Sequence, residues 1–130
     1  MIQSIEVPIA TAELIDKITI LEIKVARFTD PAKTANVRAE LALLCQRRDA
    51  ALPSDPVLDL LAARLKAVNE RIWDLEDEIR ECERRQDFGP AFVTLARSIY
   101  RTNDERAAVK REINLATGSK LIEEKSYAGD

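Results

Sequence analysis

Histidine is absent from this 130-residue chain. Its absence removes the commonest general base and transition-metal ligand, and with them most nucleophilic triads and zinc sites. The three glycines are too scattered to form a phosphate-cradling loop. The two cysteines, Cys45 and Cys82, each fall on or beside an apolar helical face and read as small hydrophobes in a reducing cytoplasm rather than as a disulfide. No uncharged apolar run reaches membrane-spanning length. The start lacks a basic segment followed by an apolar run, so no signal peptide is expected. A net charge of -3 offers no global attraction to nucleic acid or anionic lipid. The expectation is a cytoplasmic protein with no metal, no cofactor, no nucleic-acid partner and no membrane partner.

What is present is aliphatic and charged. Hydrophobic residues make up 46% and charged residues 33%, a mixture that favours packed amphipathic helices. The length suits one domain. Residues 2–9, "IQSIEVPI", are β-branched and loosely alternating, but Pro8 disfavours a central strand, so an extended arm over 1–10 is expected. Thr11 reads as a helix N-cap, with Glu13 in the first turn. Leu14, Ile18, Leu21, Val25 and Phe28 form one helical face, and Ile20 and Ile23 form a second on the opposite side. A helix apolar on two sides is sandwiched between neighbours or shared with another subunit. Asp30 and Pro31 open a second helix with Val37, Leu41, Leu44 and Ala51 as its stripe. Ser54 or Asp55, with Pro56, opens a third.

That third helix carries the strongest pattern. Leu58, Leu61, Leu65, Val68, Ile72, Leu75, Ile79 and Cys82 alternate spacings of three and four, the heptad pattern of a coiled coil or long hairpin arm, about 45 Å long at 1.5 Å per residue. Gly89 is expected in a left-handed turn, Pro90 restarts a helix, and the short connection sends this fourth helix back antiparallel. Gly118 is a C-terminal cap, and the tail over 119–130, with Leu121, Ile122 and Tyr127, is expected to be partly ordered. The fold expected is all-α: an antiparallel bundle of about four helices in a single domain over 1–130. It is dominated by the long C-terminal hairpin, along which the first two helices pack.

The fourth helix has a polar interruption. Phe92, Leu95 and Ile99 begin an apolar stripe that Val109 and Ile113 resume, but it passes through Thr102 and Arg106. Folding the hairpin about Phe88 brings together positions that sum to about 176. That register sets Arg106 near Glu70, Thr102 near Asp74 and Arg101 near Glu76. Two readings follow. In one, Glu70, Asp74 and Glu76 are polar-layer partners that neutralise the arginines and fix helix register. In the other, Arg97, Tyr100, Arg101, Asn103, Arg106 and Lys110 surround a small anionic metabolite. The lack of a glycine-rich cradle favours the first. Glu78 and Glu81 lie one turn apart, but hard-cation chemistry of this kind needs a second acidic pair at matching spacing on a partner helix. A solvated salt-bridge face is expected instead. Trp73 reads as a core or interface anchor.

Two blocks, "VPIATAELIDKITILEIK" and "IWDLEDEIRECERRQDFGPAFVTLARSIYRTNDERAAVKREINLATGSKLIEEKSY", together resemble an uncharacterised bacterial family described as a domain of unknown function. The resemblance implies a small helical bacterial protein and brings no activity, cofactor or catalytic residue with it. The function expected is a non-enzymatic helical interaction or assembly module. Hairpin arms that outreach the second helix, together with Ile20 and Ile23 on a second face, predict a homodimer and leave room for a protein partner.

Overall fold

The structure, a computed structural model, describes residues 3–128. The ends of the expected arm and tail, residues 1–2 and 129–130, lie outside the described residues. Four helices follow in order: α1 Thr11–Arg27, α2 Pro31–Ala51, α3 Pro56–Arg84 and α4 Pro90–Thr117. Among the described residues there is no strand, and residues 3–10 run as irregular chain.

Local chemistry sets the helix boundaries. Asp30 caps α2, accepting from the Ala32 and Lys33 amides, and Asp55 caps α3, accepting from Val57. Prolines stand at the first turn of α2, α3 and α4, where their missing N–H leaves no bond unmade. Gly118 takes the left-handed conformation at the end of α4, with φ of 65°, which a residue without Cβ adopts at no steric cost. At the hairpin tip the left-handed residue is Gln86, with φ of 55°. Gly89, expected there, is extended at φ of -79° and donates its amide to Asp87 Oδ1 at 3.1 Å.

Helices α3 and α4 pack most closely, antiparallel, with Arg64 on Glu112 and Arg71 on Glu105. Both pairs obey the register read from the sequence. The first helix is the hub: α1 touches α2, α3 and α4. Pairs Ala12–Asn114, Glu13–Lys110 and Asp16–Arg106 run it antiparallel to α4. This wrapping buries Ile15, Ile18, Leu21 and Ile23, which explains why α1 is apolar on two sides. The second helix differs from the expectation that it lies along the hairpin. It packs on α1 alone, and of its stripe only Val37 is buried.

The core sits at one end of the bundle. Ala12 and Ile15 of α1, Leu58, Leu61 and Leu65 of α3, and Val109 and Ile113 of α4 form it. The 17 residues of α1 span roughly 25 Å, against about 43 Å for the 29 of α3. Beyond the end of α1, α3 and α4 therefore continue as a two-helix arm. There the heptad residues Leu75, Ile79, Phe92, Leu95 and Ile99 are only half-buried. Cys82 is buried within the arm, while Cys45 is half-buried on α2, and both are free thiols.

Candidate functional site

The polar interruption of α4 faces α1. Asp16 has 6% of its side chain exposed, and Arg106 grips it with both Nε, at 3.1 Å from Oδ1, and Nη2. Asn69 Nδ2 of α3 donates to Asp16 Oδ1 at 2.9 Å and to Thr19 Oγ1 at 3.0 Å, and the Thr19 hydroxyl donates to the Asp16 carbonyl at 2.7 Å. Three helices thus meet in one polar layer. A carboxylate buried this deeply requires both a cation and further donors, and the layer supplies them. The Asp16 hydrogen bond holds the Arg106 guanidinium above its ordinary range, against the burial that opposes its charge.

One turn further along α4, Lys110 is almost fully buried and meets two carboxylates. Its Nζ lies 2.7 Å from Glu13 Oε1 of α1 and 2.9 Å from Glu123 Oε2 of the tail. Burial works against its charge, but the bonds to Glu13 and Glu123 outweigh it and raise the ammonium above the usual lysine range. The same contact with Lys110 lowers the Glu123 carboxyl below the usual range.

Next comes Asn114, whose Oδ1 accepts the Ala12 amide at 2.8 Å. Ser119 Oγ accepts the Thr11 amide at 3.3 Å. The N-terminus of α1 is therefore capped from the far end of α4. Thr11, expected as the cap, is the first helical residue, and Ala10 at the cap position offers no side-chain bond.

The tail runs back beside α4, held by Glu123 on Lys110, Glu124 on Arg111 and Lys125 on Asp104. Between them lies an open cleft of about 900 Å³. Tyr100, Asn103, Arg106 and Lys110 line it from α4, and residues 123–127 line it from the tail. Four of the six residues grouped as ligand candidates thus converge. Arg97 and Arg101 are exposed outside the cleft lining, where they flank Tyr100 and pull its phenol below the usual range, Arg97 contributing most.

The polar-layer partners read from the sequence fall elsewhere. Asp74 binds Arg27, Glu76 pairs with Arg80, and Glu70 adds only to the field at Arg27. Thr102 is buried but satisfied within α4, donating to the Ser98 carbonyl at 2.7 Å. The register was right; the facing helix was not. The true partners are Asp16, Glu13, Asn69 and Glu123. The sequence did carry one signal for them: Asp16 stands four and seven residues before Ile20 and Ile23, on the second apolar face of α1, whereas Lys17 and Glu22 of the same helix keep much of their side chains in water.

Comparison with known proteins gives one family. The model of a family of unknown function, DUF6165, matches residues 5–130. The chain belongs to that family. No curated protein and no solved structure matches it. The family's stretch takes in all four helices and the tail, so the Asp16–Arg106 layer and the cleft both lie inside it. Among the described residues no helix is long and apolar enough to cross a membrane. Glu81 of the acidic pair considered for a cation pairs with Arg84 at 2.6 Å.

Proposed function

We propose that this chain is a non-enzymatic helical assembly module of the cytoplasm that docks through the far arm of the α3–α4 hairpin, and that its first partner is a second copy of itself. The observation that carries this is the bare arm. Heptad residues buried at the core end are half-exposed beyond α1, and Phe88 and Val93 stand about half-exposed at its tip. A sustained heptad seam without a third layer is what a coiled-coil contact covers. At the arm's base a groove of about 310 Å³, lined by the half-buried Ile20, Ile72 and Trp73 among others, extends the same surface.

The charges suit self-association. On α3, Glu78 and Glu83 make no ion pair among the described residues; on α4, Arg97 and Arg101 have no carboxylate partner among them. In an isologous dimer the acids of one arm face the arginines of the other. Size-exclusion chromatography with light scattering at micromolar concentration tests this: twice the chain mass is expected, and a clean monomer overturns it.

A second reading, binding of a small anion, is favoured by one observation. Tyr100, Asn103, Arg106 and Lys110 share the 900 Å³ cleft. Most of its cations are already matched by carboxylates, which keeps this reading second. A thermal-shift screen with phosphates and carboxylates tests it; no stabilisation by any of them removes its support.

A further inference from the structure

We infer that Lys110, Arg111 and Asn114 form a binding site for the phosphate or carboxylate group of a small ligand, and that Glu123 of the chain's own tail competes with that ligand for Lys110. This rests on the cleft reading and is independent of the arm.

Four observations lead there. First, Lys110, with 8% of its side chain exposed, serves two carboxylates, one fixed on α1 and one brought by the tail. Glu13 already neutralises it, so Glu123 is the exchangeable partner. Second, Asn114 is 1% exposed, and its Nδ2 is a buried donor with no acceptor. The bond from Ala12 to Oδ1 fixes which end of the amide is which. A buried donor left unpaired is unfavourable unless something accepts from it.

Third, Asn114 lines a cavity of about 170 Å³ with Lys110, Arg111, Glu123 and Glu124. Ala107, Lys110, Glu123, Glu124 and Lys125 also line the large cleft, so the two spaces adjoin at the Lys110–Glu123 pair. With Glu123 moved aside, an oxyanion would meet Lys110 and Asn114 while the rest of the ligand lies along Tyr100 and Asn103. Fourth, the tail is weakly held. Among the described residues its side-chain grips on the body include the exposed pairs Arg111–Glu124 and Lys125–Asp104, and Leu121 is 47% exposed, although the Lys110 that holds Glu123 is itself buried. Exposed ion pairs are weak latches.

The surroundings narrow the ligand. Arg106 is committed to Asp16 and contributes field rather than bonds. Asp104, partnered by Lys125, lines the cleft beside Asn103 and would repel a second anionic group. The site therefore suits a ligand with one anionic head, such as a phosphomonoester, rather than a polyphosphate or nucleic acid.

The test is an NMR titration of the full chain with inorganic phosphate and with glycerol 3-phosphate, at ionic strength held constant with chloride. The inference predicts saturable shifts of the Asn114 side-chain amide and of the backbone amides of 119–128. It also predicts that Glu123→Gln, which weakens the competing occupant, binds about tenfold more tightly. Lys110→Met should abolish the shifts while circular dichroism shows an unchanged helix content. An equal dissociation constant for Glu123→Gln and the natural chain overturns the inference. Shifts confined to Tyr100 and Asn103, with Asn114 and the tail unmoved, overturn it while leaving the cleft reading standing. No saturable shift with either probe removes both.

Discussion

Asp16 is the residue on which the interior depends most. It is a carboxylate from a hub helix, held by Arg106 from α4 and Asn69 from α3. Removing one member of a buried pair leaves the other uncompensated, and Asp16→Ala should cost about 3 kcal/mol in chemical denaturation. The low end of the usual range applies because Arg106 keeps 30% of its side chain in water. The double replacement Asp16→Leu with Arg106→Met should recover most of that loss, since neither desolvated charge remains. Glu123 supplies a second test at this scale. Its carboxyl is lowered by Lys110, so its contribution is present above the ordinary carboxylate pKa and is lost as pH falls through the depressed value. Lys110 is raised, so its contribution holds below the ordinary lysine value of about 10.4 and is lost only above it. Backbone chemical shifts at 119–128 should therefore hold constant near neutral pH and move only as pH falls below the ordinary glutamate pKa of about 4.3, read by NMR at matched ionic strength. Tail shifts that already moved above that value would contradict the latch.

Among the elements, α2 stands apart. Of the other helices it packs on α1 only, and of its residues Val37 alone is buried, with Arg47 reaching Glu6 of the N-terminal arm, whereas α1 is enclosed by three neighbours. Few buried apolar contacts imply a low local opening energy, so amides of Pro31–Ala51 should exchange faster than those of residues 58–68 and 106–114. Equal protection across the chain would count against this packing. The contrast also shows what was legible in the sequence. Proline punctuation and heptads sufficed for α2, α3, α4 and the hairpin register, because each depends on neighbours close in sequence. The rotation of α4, and hence the partner of Arg106, depends on where α1 docks. That contact spans 90 residues, and no local spacing encodes it. The cap of α1 escaped for the same reason, since Asn114 and Ser119 reach it from more than 100 residues away.

For the whole molecule, the division into a three-helix core end and a bare two-helix arm is the feature with functional weight. The core end holds the buried layer, and the cleft runs from it along α4 to Ile99 and Ala96; the arm holds half-exposed heptad residues and, among the described residues, charges of both signs without an ion-pair partner. The sequence pointed to the arm through its unbroken heptads, whereas the cleft needed the tail's return path to exist at all. The central claim, that the arm is the docking surface, is tested most directly by amide hydrogen exchange at concentrations well above and well below the dimer dissociation midpoint. The account predicts added protection at high concentration over residues 75–100, with Pro31–Ala51 unchanged. Protection independent of concentration, or a gain falling on α2 instead of the arm, would contradict it.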